Sequence, residues 1–200
     1  MNAEPKIILA SASPRRRQLL DLIGLAHLVR PADIEEVRHE DESPADFALR
    51  AARDKALAVA AEAELPVLGS DTVVEIDGAA LGKPVDRADA VRMLRLLSGR
   101  THHVHTAVAL ACGDSCGALV DTTFVTFRSL SDAMIDWYTS ADEPMDKAGA
   151  YAVQGRGGLL VAGIDGSPHT VVGLPIHRLP ELFEQCGLDV WILLGPSTQS

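Results

Sequence analysis

The chain alternates short apolar runs typical of buried strands with amphipathic runs typical of helices, and this alternation constrains its fold more than any other feature. The first pair is KIILA at 6–10, a strand pattern, followed at once by the helix pattern SASPRRRQLLDLIGL at 11–25. Ser13 is the predicted N-cap of that helix, Pro14 its first residue and Gly24 its stop. Its predicted buried face consists of Leu19, Leu20, Leu22 and Ile23.

Strands and helices keep interleaving along the rest of the chain. Strand patterns lie at 27–30, 66–78, 79–82, 101–112, 118–128, 159–164 and 170–172. Helix patterns lie at 43–65, 86–100 and 131–140, and a final helix over 174–187 kinks or restarts at Pro180. The sequence therefore predicts an α/β or α+β fold with a mixed sheet.

Length and charge limit what such a domain can do. The 200 residues fit one domain over 1–200, and 18 basic against 28 acidic residues give a net charge of −10. That charge argues against a duplex nucleic acid or an anionic membrane as partner. An N-terminal apolar run too short for a signal peptide and three cysteines with no metal-site spacing predict a cytoplasmic protein with reduced thiols.

The first helix start is the strongest candidate for a ligand site. A helix N-terminus offers unpaired N–H groups and a positive dipole end, to which Ser11 and Ser13 add hydroxyls and Arg15 and Arg16 add guanidinium groups. A plain capped helix with solvated arginines is the alternative. The helix dipole disfavours basic residues in the first turn, so we favour an anion site.

Lysines and acids supply further candidates. Only four of the 18 basic residues are lysine, and Lys55 and Lys83 are two whose sequence contexts suggest a point-charge contact with phosphate or carboxylate. Asp71 follows a buried strand, where metal ligands and general bases are common. Glu35 and Glu36 follow the predicted second strand. For each of these residues, a solvated side chain is the alternative.

Histidines and glycines give weaker signals. His103 and His105 would share one face of a strand, but no third ligand is evident at a suitable spacing, so we predict that His102, His103 and His105 are exposed strand residues. The Gly-rich stretch 148–158 matches no phosphate-binding motif and contributes one notable amide, Gln154.

Six blocks in order resemble the Maf family of nucleoside triphosphate pyrophosphatases. They are ILASASPRR at 8–16, LGSDTVV at 68–74, LGKP at 81–84, MLRLLSGRTH at 93–102, EPMDKAGAYAVQGRGG at 143–158 and VVGLP at 171–175. The resemblance implies a two-lobed α/β fold with an elongated mixed sheet, related to the inosine triphosphate pyrophosphatases, and a central cleft. It also implies cleavage of a nucleoside triphosphate at the α–β linkage with Mg²⁺ or Mn²⁺.

The resemblance also implies roles for single residues. Asp71 is implied as general base, and Glu35 with Asp71 as the metal ligands. Ser11, Arg15, Arg16, Lys55 and Lys83 are implied as substrate-binding residues. Asp146 and Lys147 lie in a matching block without an assigned role. Pro168 stands where the family has a bulky residue, which puts the local packing there in question.

Within the family, Arg15, Thr72 and Gln154 resemble the subgroup specific for dTTP and UTP. A glutamine amide can match the carbonyl and N3–H of uracil or thymine, whereas a positively charged 7-methylguanine would be served by an acid. A 7-methyl-GTP or other modified-nucleotide pyrophosphatase, and a nucleotide-binding regulator of division that does not hydrolyse, remain alternatives. The family often forms dimers, so a homodimer is an expected state, but no interface is visible in the sequence.

Overall fold

The computed structural model describes residues 4–141 and 143–195. Within these ranges no helix has the length and apolar character needed to cross a bilayer. Parallel and antiparallel pairs occur in one sheet, which confirms the predicted α/β class with a mixed sheet.

The sheet has seven strands. Their bounds are β1 Ile7–Leu9, β2 His27–Val29, β3 Val67–Ile76, β4 Ala79–Leu81, β5 Thr101–Cys112, β6 Ser115–Phe127 and β7 Val161–Asp165. Hydrogen-bonded neighbours follow the order β2-β1-β3-β5-β6-β7, and β4 pairs with β3. β1 lies parallel to both β2 and β3, whereas β4 on β3 and β7 on β6 are antiparallel.

The described residues contain seven α-helices, of which four lie between strands and three follow β7. Their bounds are α1 Pro14–Leu22, α2 Pro44–Ala60, α3 Arg87–Leu97, α4 Asp132–Thr139, α5 Pro168–Val172, α6 Leu179–Gln185 and α7 Val190–Leu194. Short 3₁₀ helices span Ala148–Ala150, Gly155–Leu160 and Ile176–Arg178.

The predicted helix starts are confirmed by their caps. Ser13 precedes Pro14 at the start of α1. The Ser43 hydroxyl accepts from the Asp46 amide at 3.1 Å, and the Asp86 carboxylate accepts from the Asp89 amide at 2.8 Å. The Ser43 and Asp86 side chains thus satisfy amides that the first helical turn leaves unpaired. Ser13 makes no side-chain capping bond, and α1 instead begins at Pro14, which has no amide hydrogen to satisfy.

Two predictions of local structure are wrong. The β-branched run 170–172 belongs to helix α5, because Pro168 starts a helical turn in which the Thr170 amide donates to the Ser167 carbonyl at 3.1 Å. Leu22 is 71% exposed, although Leu19 and Leu20 are buried as predicted. At about 100° per residue, Leu22 lies roughly 200° around the helix from Leu20 and faces away from it.

The C-terminal prediction also needs correction. A 3₁₀ turn at Ile176–Arg178 leads into α6, with Pro180 in its first turn, which agrees with a restart at that proline. It is not the final helix, because α7 follows it. The tail from residue 188, which carries no motif, is described only as far as residue 195.

The chain forms two compact units. The first contains the described parts of Met1–Asp71, Thr106–Asp121 and Gly173–Ser200, and the second contains Thr72–His105 and Thr122–Val172. The predicted lobes and the cleft between them stay predictions.

The first unit packs helix α2 closely on strand β3. A Cβ atom at Gly69 would lie 2.2 Å from the Ala52 carbonyl oxygen and 2.8 Å from the Ala56 nitrogen. Only glycine therefore allows this approach, which brings the buried side of α2 against the first residues of β3. A small core of Ile8, Ala10, Val59 and Val67 lies in the same unit.

The second unit has its own apolar core. It includes side chains of β3, β4, α3, β5, β6 and α4, and its larger members are Leu94, Leu97, Phe127, Ile135, Tyr138 and Tyr151. Phe127 and Tyr151 pack edge to face, with ring centroids 4.7 Å apart. This core holds one end of β5 rigidly against its neighbours.

Candidate active site

One buried ammonium group in the first unit binds two carboxylates. Lys55 Nζ donates to Asp71 Oδ1 at 2.7 Å and to Glu36 Oε2 at 2.7 Å. Asp71 and Lys55 are both buried, whereas the Glu36 side chain is 42% exposed. A charged group removed from water needs partners of opposite charge. The two carboxylates and the ammonium group therefore form one hydrogen-bonded ion cluster.

The fold explains why these residues meet. Lys55 lies on the buried side of α2, and Asp71 follows Gly69 by two residues on β3. The close approach of α2 to β3 at Gly69 brings the lysine within reach of Asp71. Glu36 lies in the irregular segment between β2 and α2, which carries its carboxylate to the same ammonium group.

A second set of contacts holds Arg16 beside this cluster. Arg16 Nε donates to the Gly173 carbonyl at 2.9 Å, and Arg16 Nη1 donates to Ser11 Oγ at 3.1 Å. The Ser70 hydroxyl donates to the same Gly173 carbonyl at 2.9 Å. Gly173 has a φ of 115°, a conformation that only glycine adopts readily, so its carbonyl is aimed at both donors by the backbone itself.

Burial and charge act on Arg16 in opposite directions. Removal from water lowers the pKa of its guanidinium below the usual value, while the negative charges of Asp71 and Glu36 raise it and the neighbouring Arg15 lowers it again. Arginine remains charged through such shifts. The first unit therefore gathers the cations Lys55 and Arg16 and the carboxylate of Glu36 around Asp71.

This arrangement suits a phosphorylated ligand held with a divalent cation. Guanidinium and ammonium groups bind phosphate oxygens, and the hydroxyl of Ser11 lies beside them at the start of α1. The two carboxylates are the hard oxygen ligands that Mg²⁺ and Mn²⁺ prefer, and both reach the same point, the ammonium of Lys55. The donor set fits either metal.

Several predicted site residues are thus brought together: Ser11, Arg16, Lys55 and Asp71. Of the two adjacent acids, the structure places Glu36 on Lys55, while Glu35 is exposed. Ser70 and Gly173 were missed as contributors. Their signals were present in the GSD and VVGLP blocks, but only the folded chain shows that their polar groups meet.

Of the remaining predicted residues, Arg15 lies half-buried in the first turn of α1 in the first unit, and the others lie in the second unit. Lys83 is exposed after β4, and Thr72 is half-buried on β3. Gln154 is exposed at the N-cap of the 3₁₀ helix Gly155–Leu160, and its side chain makes no capping hydrogen bond. Lys147 Nζ donates to the Glu143 carbonyl at 2.7 Å and also contacts Asp146.

The prediction for the histidines is wrong for two of the three. His102 and His105 are buried, because this part of β5 is covered on both faces. A third potential ligand also exists: one ligand atom each from Glu75, His103 and His105 lie within 4.8 Å of one another. Sequence spacing could not show it, since Glu75 comes from another strand.

Comparison with known proteins places the chain among nucleotide-hydrolysing relatives. A family model described as "Maf-like protein" matches residues 6–186. A dTTP/UTP pyrophosphatase of Myxococcus xanthus is 49% identical over 192 residues, which cover 95% of this chain and 97% of the relative. A dTTP/UTP pyrophosphatase of Anaeromyxobacter dehalogenans is 50% identical over 191 residues, covering 93% and 96%.

Among solved structures, a nucleoside-triphosphatase described as a dITP/XTP pyrophosphatase from Mycobacterium abscessus matches with a TM-score of 0.42. It is 18% identical, and the match covers 62% of this chain and 75% of that one. A likeness at this level carries no argument about fold or reaction.

Proposed function

Because this chain belongs to the Maf-like protein family, we propose that it is a nucleoside triphosphate pyrophosphatase that hydrolyses dTTP and UTP at the α–β linkage. The products are the nucleoside monophosphate and pyrophosphate. Relatives at about half identity over nearly their whole length carry that activity in their names, which supports the choice of substrate. The observation that carries the proposal is the lysine bound to two acids in the same unit as a buried serine that accepts from a half-buried arginine.

In this proposal the metal ligands are Asp71 and Glu36. The sequence resemblance assigns the second role to Glu35, but Glu36 is the acid that shares Lys55 with Asp71. A bound Mg²⁺ or Mn²⁺ would neutralise part of the triphosphate charge. The assignment of Glu35 as ligand stays a prediction, which a comparison of Glu35→Gln with Glu36→Gln in metal-dependent turnover tests.

Asp71 acts as the general base. Lys55 occupies one oxygen of its carboxylate, and the other accepts a proton from the attacking water. The water oxygen bonds to the α-phosphorus. The bond between this phosphorus and the α–β bridging oxygen breaks, and pyrophosphate leaves with the bond electrons. Ser11, Arg15, Arg16 and Lys55 bind phosphate oxygens and offset the charge that develops on them. The same role for Lys83 stays a prediction.

Gln154 selects the base. Its amide offers a donor and an acceptor together, which match the N3–H and the adjacent carbonyl of uracil and thymine. Gln154 could instead cap the Gly-rich loop without contacting a base. The Gln154 side chain makes no capping hydrogen bond, which does not support that alternative. Thr72 and Arg15 are the further proposed specificity residues. We therefore expect high turnover of dTTP and UTP, less of CTP and poor turnover of 7-methyl-GTP.

A nucleotide panel with Mg²⁺ or Mn²⁺ tests the proposal. Pyrophosphate released from each nucleotide is measured beside the shift in melting temperature that each nucleotide causes. Pyrophosphate from dTTP and UTP is the expected result. A melting shift without any product would support the non-hydrolysing regulator, and equal or faster cleavage of 7-methyl-GTP would overturn the pyrimidine assignment while leaving the reaction type intact.

A further inference from the structure

Three adjacent strands of the sheet bring two imidazoles and one carboxylate together in the second unit. His103 and His105 are two residues apart on β5, so their side chains lie on the same face of the sheet. Glu75 lies on the neighbouring strand β3. His105 Nε2 lies 2.7 Å from Glu75 Oε2, and His103 Nδ1 lies 3.7 Å from the same oxygen. One carboxylate oxygen is therefore the meeting point of both rings.

Strand β6 holds both rings in place from the other side. His105 Nδ1 lies 2.9 Å from the Thr122 hydroxyl, and the ring of His103 packs edge to face on Phe124 with centroids 4.8 Å apart. When Nδ1 of His105 donates to Thr122, its Nε2 directs a lone pair toward Glu75. Metal-binding histidines usually have such a partner on the second nitrogen, which fixes the tautomer and the ring orientation.

The three ligand atoms lie near the spacing of a small coordination sphere. With bonds of about 2.0–2.2 Å, two ligands of a tetrahedral ion lie about 3.3–3.6 Å apart. The 3.7 Å between His103 and Glu75 is close to this range, whereas the 2.7 Å between His105 and Glu75 is a hydrogen-bond distance, so these two atoms have to move apart to admit an ion. At 3.7 Å His103 is too far from Glu75 for a hydrogen bond, and packing on Phe124 and His105 holds its ring beside this carboxylate.

We propose that Glu75, His103 and His105 form a site for one divalent transition-metal ion of the zinc class. Two imidazole nitrogens and one carboxylate are the donors that Zn²⁺ takes, whereas Mg²⁺ prefers oxygen alone. His105 is nearly buried, and the side chain of His103 is 42% exposed, so one side of the site is open to solvent. A fourth ligand can enter from that side.

This site is chemically separate from the proposed catalytic cluster. It uses none of Ser11, Arg16, Glu36, Lys55 or Asp71, and its nitrogen donors select a different class of ion. The competing explanation is a metal-free hydrogen-bonded set in which His105 Nε2 donates to Glu75 and Thr122 donates to His105 Nδ1. The two explanations differ in whether the chain takes up zinc.

Zinc and cobalt binding to the full chain tests the proposal. Titration with Zn²⁺ should saturate at one ion per chain, and Co²⁺ should give visible absorption bands of a tetrahedral or five-coordinate ion without a thiolate band. His103→Ala should abolish this uptake, and Thr122→Val should weaken it by about 10- to 100-fold through the second nitrogen of His105. Zn²⁺ should raise the melting temperature of the wild-type chain and not that of His103→Ala.

His177→Ala is the matched control. His177 Nε2 lies 3.5 Å from Asp121 Oδ1, so this variant also removes an imidazole beside a carboxylate, but His177 belongs to no three-ligand set among the described residues. It should bind Zn²⁺ like the wild type. No zinc uptake by the wild type, uptake unchanged in His103→Ala, or equal loss in His177→Ala would each overturn the proposal. Circular dichroism of each variant excludes misfolding as the cause of a loss.

Discussion

Strand β3 contributes an acid to each of two clusters, and the two acids have opposite surroundings. Asp71 meets the ammonium of Lys55, which a second carboxylate shares. Glu75, four residues along, meets two imidazoles. The first cluster combines hard oxygens with fixed positive charge and suits phosphate with a hard cation. The second offers two imidazole nitrogens beside one carboxylate and suits a softer ion.

The carboxylate of β3 does not by itself determine which ligand each cluster suits. Both carboxylates belong to one strand, yet α2 supplies a lysine to the first and β5 supplies histidines to the second. Partners from other elements therefore determine the chemistry. Substitutions that change one partner at a time test whether each partner has this effect.

The largest effect is expected from Asp71→Asn. The substitution keeps the size and much of the hydrogen bonding of the side chain but removes the general base, so kcat for pyrophosphate release from UTP should fall by about 10²–10⁴. Asp114→Asn, the same change at an exposed turn, is the control and should leave kcat unchanged. Wild-type turnover in Asp71→Asn would remove Asp71 from the mechanism.

A large loss of stability is expected from Lys55→Met. The variant keeps the length of the side chain but leaves the buried carboxylate of Asp71 without its cation, which should lower the free energy of unfolding by about 3 kcal/mol. Urea unfolding measures this loss. Adding Asp71→Asn should restore part of it, because the uncompensated charge is gone. If the double variant is as unstable as Lys55→Met, the loss comes from packing.

A smaller effect is expected at Gln154. Gln154→Glu replaces the amide donor with a carboxylate, so kcat/KM for UTP should fall about tenfold or more. The melting temperature should stay within a degree or so of the wild type, since the side chain is exposed and makes no capping bond. A change in melting temperature with unchanged kcat/KM would instead make Gln154 a structural residue of the loop.

A pH-dependent effect is expected from His102, which faces the core from the same strand as the two proposed zinc ligands. Burial lowers its pKa from 6.5 to about 4, with a minor contribution from His103. The unfolded chain takes up this proton below pH 6.5 and the folded chain only near pH 4. Its contribution to stability is therefore complete above pH 6.5 and is lost as the pH falls toward 4, by at most about 1.4 kcal/mol per pH unit.

Unfolding by urea at pH 7 and pH 5 measures this contribution. His102→Gln keeps a polar partner for the Tyr151 hydroxyl, which lies 2.8 Å from His102 Nε2, and does not titrate. The loss of unfolding free energy between the two pH values should be smaller in the variant than in the wild type. An equal loss in both would assign the pH dependence to other groups.

Most of the helices and strands were predicted from signals within a few neighbouring residues. Ser13 with Pro14, and Asp86 with its cap, identified helix starts because capping depends on residues within one turn. The strand predicted at 170–172 failed because β-branched residues favour a strand only where a neighbouring strand is available to pair. Contacts that join distant segments could not be read from spacing.

The candidate sites show the same difference between local signals, which the sequence reveals, and contacts between distant segments, which it does not. The resemblance pointed to Asp71 and Lys55, which do meet. It also assigned a metal role to Glu35, which stays a prediction, whereas the acid that contacts the lysine is Glu36. Adjacent acids in an irregular segment cannot be told apart by sequence, because no periodicity fixes their direction. Glu75 was missed since its partners lie about thirty residues away on β5.

Identification of the products formed from UTP distinguishes cleavage at the α–β linkage from cleavage at the β–γ linkage. The wild-type chain is incubated with UTP and Mg²⁺, and the reaction is followed by ³¹P NMR. UMP and pyrophosphate should appear in equal amounts, as cleavage at the α–β linkage requires. UDP with orthophosphate, or no product although UTP raises the melting temperature, would contradict the account.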